Sequence, residues 1–454
     1  MPPLWQPSRL RANQLQRGSV TSSEVTTERS IDRGGITVDP PAPEFLSADD
    51  LPHDSSWAVE VDLDFGFPGE HSDYFPGSMT DVSQLLGSFG PEIVTTSREG
   101  LVIRRTGLSS REYWTLPDGF SVFKNWFKQS GIEIKPSSAG RTATELIRQL
   151  GGPIQSGMLA SVDLIRELGR ASEGRPISYS KMLEVLQKFR DGKERAVQLL
   201  DRLASLDVVR PLVRLRCSRC DYANSYEPKE LQSELECARC LRPFPFPASE
   251  PPQRGDWIFR PAGPFSVPGF ADGAYSVALA LRFLLENPLG GSSAWVAGFE
   301  SVEERSFEVD FGVWSHDLHS SESLPQLYLG EAKSFNQFEP KDFARAKKVL
   351  GLVPNSVFVF ACLRGELEAK EKREIRKLAL GGRSRYPGHR PNRGRIVVLT
   401  EMELTEKYPS TRMSWKEEGG RHEELADLFY RGNFSDRISD ASLELYADLK
   451  YPEK

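Results

Sequence analysis

The sequence predicts an α+β multidomain protein whose character changes along the chain, and three observations lead to that expectation. Two Cys-x-x-C pairs, Cys217/Cys220 and Cys237/Cys240, stand sixteen residues apart. Between Phe307 and Leu363, two short β-rich runs, FEVDFGVW and LYLGEAKS, precede a charged helical segment and the apolar run SVFVFACL. Upstream, residues 139–216 repeat Leu, Ile and Val at helical spacing, with Gly or Ser between the repeats. The expected order is a disordered arm (1–55), a mixed αβ domain (56–138), a helical region (139–216), a cysteine module (213–246), an α/β core (265–400) and a C-terminal helical extension (401–454).

Residues 1–55 are rich in Pro, Ser, Thr and charge and show no sustained apolar period, the composition of a mobile arm. From Trp57, WAVEVDLDF alternates apolar and acidic residues, the pattern of a half-buried strand. GLVIRRTG, YWTLPDG and FSVFKNWF continue a mixed αβ region to about residue 135. Glu60, Asp62 and Asp64 share one strand face and read as solvated acids. In the helical region, RTATELIRQLGG, GMLASVDLIRELGR, SYSKMLEVLQKFRDG and ERAVQLLDRLASL run into DVVRPLVRLRC, read as a hairpin. Helices followed by a two-stranded wing look like a winged-helix module, and that resemblance implies DNA contact. A helical spacer or oligomerisation unit is the alternative.

Four thiolates at the observed spacing can close a tetrahedral Zn²⁺ site, and the intervening ANSYEPKELQSELE suits a strand, a turn and a return strand. The pattern resembles a zinc ribbon. Two disulfides or an iron site are the alternatives, and the expected cytoplasmic location disfavours disulfides. With sulfur in all four places, one structural zinc per chain is expected at Cys217, Cys220, Cys237 and Cys240, with no open position for chemistry. Arg219 and Arg239 sit in the knuckles and Arg214, Arg216 and Arg242 flank them, so the module either grips phosphates or staples its neighbours. Cys362, within VFVFACL, reads as a buried thiol.

FPFPASEPPQRG reads as a linker, and DGAYSVALALRFLLENP as a helix with Asp272 as N-cap and Pro288 as its stop. SAWVAGFES supplies a first strand. On a strand, residues two apart share a face, so Glu331 and Lys333 project together, and Asp310 lies beside Glu308 and Gly312. Asp310 on one strand, Glu331-Ala332-Lys333 on the next, then a helix and an apolar strand resemble the PD-(D/E)XK nuclease superfamily, across roughly residues 265–400. The opening Pro-Asp of that family's name is absent, because Val309 precedes Asp310.

The resemblance implies a restriction-endonuclease-like core. It also implies catalysis by Asp310, Glu331 and Lys333, with Mg²⁺ or Mn²⁺ held by Asp310 and Glu331 and by the Ala332 carbonyl. Hydrolysing a phosphodiester needs a nucleophilic water and relief of negative charge, which hard cations on carboxylates supply. Lys333 then positions the water, stabilises the transition state or serves as base. Glu286, Glu300, His316 and His319 are further acids and imidazoles near the expected site, read as incidental.

Hydrophobic content of 39% and charged content of 27% describe a globular chain with no membrane span, expected in the cytoplasm. A net charge of −6 excludes a uniformly basic nucleic-acid coat, but Lys341 to Arg395 carries fifteen Lys/Arg against five Asp/Glu. Arg345, Lys347 and Lys348 on the helix after Lys333, and the acid-free stretch Arg383 to Arg395, are the expected phosphate contacts, with Tyr386 for stacking. The expected function is therefore a Mg²⁺-dependent endodeoxyribonuclease, read by analogy of architecture as a prokaryotic antiviral-defence or restriction effector. Its expected partners are DNA, with RNA left open, and a second copy of the chain or other proteins of a defence complex. The competing class is an inactive, zinc-stabilised nucleic-acid-binding or assembly module.

Overall fold

The computed structural model describes residues 26–29, 35–39, 93–97, 100–104, 113–115, 120, 123, 124, 127, 131–190, 192–247, 252–286, 292–302, 307–316, 326–353, 356–381, 395–406, 411–426 and 434–449. The WAVEVDLDF segment, the arginine-rich stretch from Arg383 to Gly394, Tyr386 and His319 lie outside the described residues. Among the described residues, no helix is long and apolar enough to cross a membrane.

Strands β1 (Thr26–Arg29) and β2 (Gly35–Asp39) pair antiparallel and join β3 (Ile93–Ser97), β4 (Gly100–Arg104) and β5 (Tyr113–Thr115) in a sheet of order β1-β2-β5-β4-β3. The disordered-arm expectation for 1–55 thus fails at two segments. Their β-branched Thr, Ile and Val flank Gly34-Gly35, a hairpin composition that the polar surroundings conceal.

Further on, β6 (Ile134–Pro136) leads into α1 (Ser138–Leu150), and α2 (Val162–Ser172) follows. Short β7 (Ile177–Ser178) opens α3 (Tyr179–Phe189), and α4 (Lys193–Ser205) comes after a three-residue turn. Ser137, Ser161 and Ser178 cap α1, α2 and α3, each hydroxyl accepting from a backbone N–H in the first turn. DVVRPLVRLRC is one strand, β8 (Val209–Arg216), and not a hairpin. It pairs with β9 (Ala223–Tyr226) across the first cysteine knuckle. β10 (Glu234–Glu236) pairs with β11 (Pro243–Pro245) across the second. ANSYEPKELQSELE therefore contributes to two hairpins rather than closing one. β12 (Trp257–Pro261) returns to lie between β7 and β8, giving the order β7-β12-β8-β9.

The largest sheet has the order β17-β16-β15-β14-β13-β6. Helix α5 (Ala274–Glu286) precedes an antiparallel meander of β13 (Ser292–Ser301), β14 (Glu308–His316) and β15 (Gln326–Lys333). Gly273, not Asp272, occupies the position before α5, with φ 82°. α6 (Pro340–Leu352) crosses over to β16 (Val357–Cys362), which runs parallel to β15 as a helical crossover allows. After α7 (Ala369–Gly381), β17 (Ile396–Leu399) extends the parallel side, and short α8 (Glu401–Leu404), α9 (Thr411–Glu418), α10 (Gly420–Ala426) and α11 (Phe434–Tyr446) close the chain.

The helical region and the sheet share one hydrophobic core, so residues 139–205 and 265–400 are not separate bodies. The reason is α5, in which every residue from Ala274 to Leu284 is buried. A helix apolar on all sides needs partners all round. Tyr328, Ala332, Val357 and Val359 of the sheet join it in this core with Leu146, Leu164 and Leu186 of the preceding helices. α1 also lies directly on β13, where a Cβ on Gly140 would sit 1.9 Å from the Gly298 carbonyl oxygen. The cysteine module keeps its own small core of Val213, Leu215, Leu235 and Phe244 around the thiols.

Candidate metal centre and carboxylate site

The four cysteine sulfurs all lie within 4.8 Å of one another. Cys217 Sγ is 3.9 Å from Cys240 Sγ, and Cys220 Sγ is 3.6 Å from Cys237 Sγ. Tetrahedral Zn²⁺ with bonds near 2.3 Å requires sulfur separations of about 3.8 Å, so the thiols present fit the ion. The two knuckles repeat one backbone pattern. Cys217 N–H donates to the Tyr222 carbonyl and Cys237 N–H to the Arg242 carbonyl, with Asp221 and Leu241 at φ 56° and 54°. The Arg219 and Arg239 amides each donate to a cysteine sulfur at 3.4 Å.

Buried Asn224 links the knuckles. Its amide donates to Cys237 Sγ and its carbonyl accepts from Ala238 N–H. Burial works to raise the Cys237 thiol, yet the Cys240 and Arg239 amides, Asn224 and Cys220 bring it down to about 6. Asn224 lies outside the Cys-x-x-C pattern, and only the fold brings it to the sulfurs. Cys362 is buried and raised to about 11 by desolvation, as expected of an inert core thiol.

The second centre lies where β14, β15 and α6 meet. Asp310 Oδ2 accepts from the Ala332 N–H at 2.7 Å, a contact that brings the Asp310 carboxylate from β14 against the Glu331-Ala332-Lys333 segment of β15. Glu331, 1% exposed, accepts from Lys333 Nζ at 2.7 Å and from Arg345 Nη1 at 3.0 Å, one cation on each oxygen. Arg345 also meets Glu308 at 3.3 Å, and Lys333 meets Asp342 Oδ2 at 3.4 Å. Asp342, fully buried, accepts from Glu339 N–H with Oδ2, while its Oδ1 has no hydrogen-bond partner. A cleft of about 470 Å³ opens beside Glu308, lined also by Lys135, Ser138, Arg141 and Glu300.

Asp310, Glu331 and Lys333 thus share one cluster. Two further members, Asp342 and Arg345, come from α6. Arg345 read as a phosphate contact, but it is engaged by Glu331 and Glu308, whereas Lys347 and Lys348 remain exposed. The signal for Asp342 is its place three residues after Glu339, where its side chain caps the helix and turns it toward the sheet. Glu300 pairs with Lys135 and stands opposite Glu308 across the β13–β14 pairing. His316 ends β14 rather than lying in a loop.

No protein-family model, curated protein or solved structure matches this chain.

Once all four are ionised, the carboxylates of Asp310, Glu331, Asp342 and Glu308 face two cations and leave two negative charges. Desolvation pushes Asp310 up to about 6, and Glu308 adds to it. Desolvation, with Asp310 beside it, pushes Glu331 up to about 8. Burial works against the Lys333 ammonium, but Glu331, Asp342 and Asp310 hold it above the usual lysine value. A divalent cation supplies the charge that this set lacks, and Asp342 Oδ1 is a buried oxygen with no donor. Among the described residues, the four cysteines are the group whose ligand atoms lie close enough together to share an ion; at the carboxylates, both Glu331 oxygens are taken by Lys333 and Arg345.

Proposed function

We propose that the chain is a metal-dependent nuclease that hydrolyses phosphodiester bonds of DNA, acting as a restriction or defence effector. The observation that carries this reading is the meeting of Asp310, Glu331 and Lys333 through the Asp310 to Ala332 hydrogen bond. Asp310 and Glu331 would hold Mg²⁺ or Mn²⁺, which when bound supplies charge neutralisation at phosphate and an acidic water. A lysine acting as base needs a lowered pKa, and Lys333 has the opposite shift. Its role is then electrostatic, holding an ammonium against charge that develops on the phosphate. Lys135 and Arg141, lining the adjacent cleft, are placed to receive flanking phosphates. Defence or restriction rests on the pairing of a ribbon with such a core, an analogy of architecture.

The test is incubation with plasmid, linear and single-stranded DNA and with RNA, in Mg²⁺, Mn²⁺ or no divalent ion. Lys333→Ala and Glu331→Gln should each slow cleavage by about 10²- to 10⁴-fold. No cleavage on any substrate with either metal would leave the inactive binding module as the reading, and cleavage untouched by both substitutions would remove the activity from this cluster.

A further inference from the structure

Helices α3 and α4 are joined by three residues, Arg190 to Gly192, with Gly192 at φ 100°. Two packed helices with a short glycine turn are a helix-turn-helix, and the second helix of such a pair is the one that enters a major groove. The surrounding order is helix α2, strand β7, helices α3 and α4, strand β8, then strand β12. The strands pair as β7-β12-β8. That is the topology of a winged helix, in which the connection from β8 to β12 is the wing. Here the wing position is filled by the whole four-cysteine module.

Both parts present exposed cations, of which Arg219 donates to the Pro243 carbonyl and Arg216 pairs with Asp221. On α4, Ala196, Leu199, Leu200 and Leu203 are buried, and Arg195, Gln198 and Arg202, at i, i+3 and i+7, are exposed, beside the exposed acids Glu194 and Asp201. The Arg190 guanidinium at the C-terminal end of α3 is partly desolvated and sits near Arg195 and Arg282, a crowding of like charge. On β8, Arg214 and Arg216 share the exposed face, opposite Val213 and Leu215. Arg219, Arg239 and Arg242 are exposed on the knuckles, and Asp221, paired with Arg216, is the acid among them. Glu227 and Glu230 lie in the segment joining the two hairpins, and the exposed Glu234 and Glu236 lie on β10.

The knuckle tip is also apolar. Leu241 is 71% exposed and takes a positive φ that a leucine adopts at a cost, and half-exposed Tyr222 lies under the Arg239 guanidinium. Exposed apolar groups ringed by arginine suit a minor groove, where apolar wedges enter between bases and arginines meet phosphates. The eight residues of β8 reach roughly 26 Å. Half a turn of duplex, from one groove to the next, is about 17 Å.

We propose that α4 and the knuckle end of the ribbon grip duplex DNA together, the ribbon serving as a metal-folded wing. This inference stands apart from the carboxylate site, because binding needs no cleavage.

The experiment is fluorescence anisotropy of the full-length, zinc-loaded protein. The probes are a labelled duplex of about two helical turns, its separated strands and the matching RNA duplex. All are read without added Mg²⁺ or Mn²⁺ over a series of salt concentrations. Removing a phosphate contact lowers the slope of log K against log salt by about 1. Arg219→Ala/Arg239→Ala and Arg195→Ala/Arg202→Ala should each lower it by about 2, and the four changes together by about 4. Arg148→Ala on α1 should leave it unchanged. Thermal melting and zinc content unchanged from the parent would show that the variants are folded. Parental slopes in either double variant, equal or tighter binding of the single strands or of RNA duplex, or no DNA binding by the parent would each overturn the proposal.

Discussion

The molecule carries two polar centres built on opposite principles. The cysteine centre is made of four like groups from two hairpins. The carboxylate centre supplies its own cations, Lys333 and Arg345, one to each oxygen of Glu331. The first is a site that could hold a metal, beside a small core of six buried residues. The second sits inside the large core and stands without metal, at the expense of two raised carboxyl pKa values. A metal should therefore be part of the fold in one place and an exchangeable participant in the other.

The largest effect that would break this contrast is at the ribbon. Structural zinc in small modules contributes about 10–16 kcal/mol to folding of the module. Cys220→Ser should take zinc from one ion per chain to none by elemental analysis, and open residues 217–245 to protease. The main melting transition should stay within a few degrees of the parent, because the ribbon core is separate from the large one. A variant whose entire chain unfolds would show that the two cores are coupled. A parent that folds without metal would remove zinc from the ribbon altogether.

The same contrast explains what could be read from the chain. The ligand pairs Cys217/Cys220 and Cys237/Cys240 are each three residues apart, so short loops fix them and spacing reveals them. Glu331 and Lys333 fall on one strand face by the two-residue period, which needs no knowledge of neighbours. Asp342 and Arg345 reach the cluster only because α6 folds back over β15, and Arg345 looked like one more solvated cation of an amphipathic helix. The shared core was missed for a similar reason. Dividing the chain at composition changes separated 139–216 from 265–400, although AYSVALALRFLL of α5 has no polar face and so called for helices on its far side. The hairpin of β1 and β2 was hidden because its apolar residues are few and its surroundings polar.

A smaller effect tests whether metal at the carboxylates is exchangeable. In the folded protein Glu331 keeps its proton to about pH 8, and the unfolded chain releases it near 4.5. Asp310 behaves likewise between 3.8 and about 6. The folded state thus binds more protons in this window, and metal-free stability falls as pH rises through it, the contribution being full below the unfolded values. A divalent cation reverses the trend by favouring the ionised pair. The rise in melting temperature caused by Mg²⁺ should accordingly be several degrees larger at pH 9 than at pH 6, and cleavage should climb over the same range. A Mg²⁺ shift independent of pH would separate the ion from these two acids.

The smallest effect concerns Arg345, which distinguishes a resting latch from a purely structural ion pair. Its guanidinium occupies the Glu331 oxygen that Lys333 leaves, and it bridges to Glu308. Arg345→Ala leaves that buried oxygen without a donor, at a cost of about 1–3 kcal/mol to the metal-free protein. It also removes a competitor for the carboxylate. The variant should melt a few degrees lower than the parent without metal, and regain most of the difference in Mg²⁺ at pH 9, with tighter Mg²⁺ binding by calorimetry. If Arg345 only braces α6 against β15, the loss should persist at every Mg²⁺ concentration and the affinity should not change. Arg345→Lys, which keeps the charge but loses the two-sided reach to Glu331 and Glu308, should fall between the two, because one ammonium cannot serve both acids in that geometry.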